Sequence, residues 1–369
     1  MRVALALLCL LVIGSVLLEA FEGLVLPRRI SRPLRAVGYF YRFLWLSWRS
    51  LGRRLRPGMR DDWFAVFGPF SVLTLFVAWG ALLVLAFAGL SWSLRLPISA
   101  PEAIPTFATY LYLSATTFIT LGFGDVAPRT NLARAITDCE AALGFGFLAI
   151  VIAYLPVLYQ AFARREVEIG MLDARASTPP SAGELLKRIG GCPDLGDIKD
   201  TLKNWERWSA ELLESHLSYP SLMYWRSQHD RQSWLGTLTT ILDTCALIIA
   251  TQPKSTLLYQ ARLTFAMARH AAVDLRLALN QTPITPDRLP EAEQKALFTL
   301  LTDAGMTLDT SPEAHIHFGE LRALYEPHLA ALAQWLELTL PTIAPNPNAH
   351  DHWRMSTDPR GHFFNIGPP

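Results

Sequence analysis

Thr116-Thr117-Phe118-Ile119-Thr120-Leu121-Gly122-Phe123-Gly124-Asp125-Val126-Ala127-Pro128 lies between two long apolar runs. Gly122 and Gly124 tolerate positive φ, so successive peptide carbonyls can turn the same way here, where a β-branched residue would be strained. Carbonyl oxygens aligned along one axis can replace the water shell of a potassium ion. One chain gives only one wall of such a path, which predicts a homotetramer.

Outward from this stretch the apolar runs have membrane dimensions. Phe70–Leu94 holds no charged residue over 25 positions, and Ala141–Phe162 is also uncharged. About 20 apolar residues cross a bilayer core as a helix. The reading is an outer helix at 70–94, a half-length helix at 106–118 that enters and stops, and an inner helix at 132–162. Irregular backbone at membrane depth is allowed where it lines a polar path. The short helix aims its negative dipole end at that path. In the inner helix, Gly144 and Gly146 supply either flexibility or close packing, small residues in membrane helices doing the second more often. Pro156 removes a backbone bond and predicts a kink, so Leu155, Pro156 and Tyr159 mark a candidate gate. Glu140 is read either as a pH-sensitive acid or as a structural partner of Arg134 or of the filter's backing.

Thr120-Leu121-Gly122-Phe123-Gly124-Asp125, with Pro128, Thr130 and Arg134 after it, resembles the pore signature of potassium channels, especially prokaryotic two-helix pore domains. The resemblance covers roughly residues 63–165. It implies a selectivity filter in which K+ meets the carbonyls of Thr120, Leu121, Gly122 and Phe123 and the Thr120 hydroxyl, while Gly124 and Asp125 turn the chain outward. It also implies that Asp125 braces the filter against the short helix through Tyr112, with Thr116 at a place where some relatives carry Glu. A solvated acid that attracts cations is the other reading of Asp125. Leu121 replaces the usual Val or Ile, and Phe123 the usual Tyr. Gly144 falls where the family often carries a hinge.

The N-terminal segment 1–27 reads as a further membrane helix, since Val3–Leu26 extends to roughly 36 Å; a cleaved leader is the alternative. Ten arginines and no acid fall within Arg28–Arg60. Positive segments stay in the cytoplasm. Interleaved Phe40, Leu44 and Trp48 therefore predict an amphipathic stretch at 28–62 lying on anionic headgroups, with the N-terminus outside the inner (plasma) membrane. A linker at 166–183, a helical cytosolic domain of five or six helices at 184–343 and a disordered tail at 344–369 follow, the last helix running from Pro312 to Leu340. Leu235–Thr251 contains Asp243 and is too short to span, so it is assigned to the soluble core.

The expected fold is thus an all-α membrane protein. Its pore domain is a tetrameric pore-loop channel with an extra N-terminal helix and an all-α cytosolic domain. Cys9, Cys139, Cys192 and Cys245 show no paired spacing. No nucleophile with a positioned base is present, so neither catalysis nor a cofactor is expected, and no nucleic-acid partner. Arg226-Ser227-Gln228-His229-Asp230-Arg231 reads as a solvated helix junction rather than an effector site. His270 and Asp274 lack a third metal ligand in view. Passive potassium conduction leads these readings; a weakly selective cation pore and a non-conducting membrane scaffold or sensor are the alternatives.

Overall fold

The computed structural model describes residues 1–25, 36–190, 196–229, 231–285 and 288–350. Arg28, Arg29, Arg32, Arg35, Cys192, Asp230 and residues 351–369 of the expected tail lie outside the described residues. The chain is an all-α membrane protein. It divides into two units, 1–160 and 161–369.

In the first unit, α1 (Arg2–Ala20) is apolar all round and packs along α3 (Pro57–Ser93). Gly89 of α3 permits the approach, because a Cβ there would lie 2.8 Å from Cys9 Sγ. Glu19 accepts the backbone N–H groups of Ala36 at 2.9 Å and Val37 at 3.1 Å, capping the first turn of α2 (Ala36–Gly52). A carboxylate at that end satisfies orphan donors and complements the positive end of the helix dipole. α2 presses Trp45 and Trp48 onto α3. The indole N–H of Trp48 donates to the Trp63 carbonyl at 3.0 Å and that of Trp63 to the Trp48 carbonyl at 3.1 Å. Tyr39, Phe43 and Leu46 stay exposed on its other side.

α3 begins at Pro57, earlier than the uncharged run, because Pro at the first turn starts a helix without losing a bond. A two-residue ribbon, β1 (Ile98–Ser99) with β2 (Ala127–Pro128), pairs antiparallel on either side of α4 (Phe107–Phe118). α5 (Asn131–Ala176) continues through Pro156 and far past the expected end at Phe162. Residues 163–176 hold strong helix formers and only one Gly, so nothing there stops it.

The second unit holds the end of α5 and seven further α-helices among the described residues: α6 (Ala182–Ile189), α7 (Gly196–Ser218), α8 (Trp234–Thr251), α9 (Leu258–Ala278), α10 (Glu291–Asp303), α11 (Pro312–Ala323) and α12 (Glu326–Leu336). The single helix expected over 312–340 is two, since Pro327 cannot continue a preceding turn and instead opens α12. α8 is buried along its whole length, with α6, α9, α11 and α12 packed on it. It is one of four helices long and apolar enough to cross a membrane, the others being α1, α3 and α5. Ser181, Ser233 and Ser311 cap α6, α8 and α11. The start of the expected tail is held: His350 exchanges backbone bonds with Thr178, at 2.9 and 3.0 Å.

Two buried polar clusters hold this unit. The Arg165 guanidinium donates to the carbonyls of Leu222 and Trp225, each at 3.0 Å, and contacts Glu166. His216 Nδ1–H donates to the Leu212 carbonyl at 2.8 Å, leaving Nε2 to face Arg165 at 3.3 Å. Burial first, and the Arg165 charge second, push the His216 imidazole well below its ordinary range. The unfolded chain then binds the extra proton below about pH 6.5, so stability is present above that value and lost as pH falls, by up to ~1.4 kcal/mol per unit. Thermal unfolding of the solubilised full chain should drop between pH 7.5 and 5.5, and His216→Gln should flatten that slope; equal slopes would rule the imidazole out. The second cluster joins Asp243, Arg288, Tyr325, Glu326 and Arg322. Arg226 caps α12, donating to the carbonyls of Leu336 and Glu337 at 2.8 Å each. That gives the junction arginine a structural task. His270 Nε2 stands 3.9 Å from Asp274 Oδ2, and no cluster of three or more possible metal ligands occurs among the described residues.

Candidate functional site

α4 is set by its ends. Thr106 and Thr109 form a reciprocal cap at the start, with the Thr106 N–H donating to Thr109 Oγ1 at 3.1 Å. At the other end the chain leaves the helix while still bonded to it. The N–H groups of Leu121 and Gly122 both donate to the Thr116 carbonyl, at 2.8 and 3.3 Å, and Thr120 N–H donates to the Thr117 carbonyl at 2.9 Å. In a trans peptide the C=O points opposite to the N–H that follows it. The carbonyls of Thr120 and Leu121 therefore point away from α4.

The backbone alternates along this stretch. φ is +58° at Thr120, +52° at Gly122 and +82° at Gly124, with no positive value at Leu121 or Phe123. Alternation of handedness gathers N–H groups on one side, and so carbonyls on the other. Glycine takes this conformation freely at two of the three positions; Thr120 takes it at a cost. Residues 119–125 are all exposed in the protomer, Phe123 by 66% and Leu121 by 50%.

The Tyr112 hydroxyl donates to Asp125 Oδ2 at 3.0 Å, so the structure brings those two together across the turn. Thr116 acts through its backbone: its carbonyl holds the two N–H groups above, while its hydroxyl donates back to Tyr112 and Leu113. Losing one hydrogen bond costs about 0.5–1.5 kcal/mol. Tyr112→Phe should therefore lower any steady ion flux about 2- to 10-fold, and Tyr112→Trp, whose indole N–H also donates, should recover most of it. Tracer uptake into proteoliposomes reads both, and unchanged flux in Tyr112→Phe would remove the bracing role.

Behind the stretch, Ser114 donates to the Val84 carbonyl at 2.8 Å and meets the buried Glu140 carboxyl, joining α3, α4 and α5. Of the partners considered for Glu140, the structure places Ser114 of α4, behind the stretch, against it. Phe147 packs on Phe118 and on Phe76. Gly144 lies against the end of α4: a Cβ there would be 2.0 Å from the Phe118 carbonyl oxygen. That contact is absent at Gly146, where nothing lies within 4 Å. Sequence reasoning named Gly144 for its place in the helix and left open what it touches. The remaining gate candidates, Leu155, Pro156 and Tyr159, lie on α5 with Leu155 half-buried and Pro156 and Tyr159 exposed. Phe145, Leu148 and Ile152 give α5 a further exposed apolar surface.

Residues 72–160 match the family model described as "Ion channel", that of pore-loop channels with two transmembrane helices. No curated protein and no solved structure matches the chain.

Proposed function

We propose that this protein, whose residues 72–160 match the model of the pore-loop ion channels, is a potassium-selective channel working as a homotetramer. The observation that carries the reading is the backbone at 120–124. The N–H groups of Thr120, Leu121 and Gly122 are tied to α4 and the φ signs alternate through Gly124, which supports a row of carbonyls turned to the free side. Four such rows around an axis replace the hydration shell of K+. The exposed Leu121 and Phe123 support assembly, since such surface on one protomer is covered when copies meet. Ions move down their gradient, so the chain needs neither cofactor nor catalytic group. The basic segment 28–60 supports an orientation with the N-terminus outside and the second unit in the cytosol, where it regulates the pore; in that orientation arginines 42, 49, 53, 54 and 60 meet anionic headgroups.

A weakly selective cation pore is the second reading, favoured by Phe123, which lacks the hydroxyl that would tie the filter to its surroundings. Reversal potentials in planar bilayers under opposed K+ and Na+ gradients separate the two. A potential near the K+ equilibrium value supports selectivity, and one near zero overturns it.

A further inference from the structure

We propose that the helical unit closes into a ring of four, with the outer face of α9 in one copy docked on the outer face of α11 in the next. The proposal rests on the fourfold reading above.

The inner face of α9 is its buried side, through Ala261, Phe265, Ala268, Ala272 and Leu275. The opposite side should be polar on a helix that meets only water. Instead Tyr259, Leu263, Ala266, Val273 and Leu277 fall on one line at intervals of three, four and seven residues, interrupted by His270, which faces Asp274. Tyr259 is 74% and Leu277 53% exposed. That spacing is the seam by which one helix packs on another. Arg262 and Arg269 edge the line, exposed and in no ion pair among the described residues.

α11 presents the complement. Ala314, Phe318 and Arg322 are buried, while Ile316, 63% exposed, and Leu324 just past the helix end, 46%, face outward on either side of Glu313 and Glu320. Neither glutamate has an ion-pair partner among the described residues. Arg262 and Arg269 are seven residues apart, and so are Glu313 and Glu320. On a helix that interval is about 10.5 Å, so both Arg–Glu pairs form in one register.

Symmetry selects the occupant. A two-fold contact of α9 with itself would set arginine against arginine, whereas a cyclic tetramer joins unlike surfaces head to tail. A largely apolar line edged by cations on α9 and two glutamates flanked by Ile316 and Leu324 on α11, both helices packed against α8, meet that requirement.

The full chain carrying Leu263→Cys and Ile316→Cys, with Cys139→Ser and Cys192→Ser to remove the native thiols that are exposed or outside the described residues, is oxidised in membranes and run without reductant. Covalent species up to four chains are expected from the pair, and none from either cysteine alone. Adding Arg262→Glu and Arg269→Glu should reduce the product about fivefold, the effect of two exposed ion pairs. Adding Glu313→Arg and Glu320→Arg as well should restore it. Native mass on the same samples separates the two levels: a mass other than four chains overturns the fourfold reading and the ring together, and a tetramer without cross-links overturns the ring alone. Cross-linking by Leu263→Cys alone overturns it in favour of a two-fold contact. A bimane on Leu263→Cys that brominated lipid quenches would assign the face to the bilayer and also overturn it.

Discussion

Gly144→Ala is expected to reduce K+ flux at least about tenfold, while Gly146→Ala leaves it within about twofold. The added carbon would stand 2.0 Å from the Phe118 oxygen, 2.8 Å from its carbonyl carbon and 3.0 Å from its Cα. These are backbone atoms, and they cannot swing aside as a side chain would. α5 and the end of α4 would have to part by about 1 Å or more to reach ordinary contact. Overpacking of that kind costs about 1–3 kcal/mol, here loaded onto the turn whose Thr116 carbonyl holds Leu121 and Gly122. Gly146 meets nothing within 4 Å, so its variant changes only the freedom of the helix. Tracer uptake by proteoliposomes of matched protein content measures both. Equal loss in the two variants would show that these glycines supply flexibility and that the close approach is incidental.

Asp243→Ala is expected to unfold the helical unit at a temperature about 10 °C lower than the parent chain. Asp243 is fully buried and accepts both Arg288 Nη groups, at 3.2 and 2.8 Å, and the Tyr325 hydroxyl at 2.6 Å. Arg288 also reaches Glu326 Oε1 at 3.1 Å and the Pro341 carbonyl at 2.7 Å. Removing the aspartate leaves a guanidinium in the interior with half its compensation, which costs about 3–5 kcal/mol. Asp243→Asn keeps the shape and one acceptor and should lose less. Intrinsic tryptophan fluorescence on heating the solubilised full chain reads the difference. An unchanged melting temperature for Asp243→Ala would mean that water or the remaining Glu326 satisfies Arg288.

The helices long and apolar enough to cross a membrane were legible because such spans are written locally: a charge-free run and a glycine-spelled turn each sit within about 25 residues, and the basic flank within 33. Tyr112 and Asp125 also meet within one turn and one short helix, so a donor–acceptor argument along the chain brings them together. What sequence left open lies in long-range pairing. Asp243 marked its helix as unsuited to a membrane, yet its partners sit 45 and 82 positions away, and no local pattern names them. Gly144 is similar: its place in the helix was readable, and its contact with Phe118 arises only when α4 and α5 cross. The extension of α5 to Ala176 was missed because the uncharged run ends at Phe162, although charge after it does not stop a helix. Pro327, by contrast, stood in plain view inside a segment taken as one helix, and its usual place in a first turn was the signal that would have divided it.

The most direct test is an experimental density map of the purified full chain in potassium solution. Four copies are expected, with ion density on the shared axis between the carbonyl oxygens of Thr120, Leu121, Gly122 and Phe123. A monomer, or oxygens at these positions directed into their own subunit with no ion between copies, would contradict a potassium-conducting pore built from this stretch.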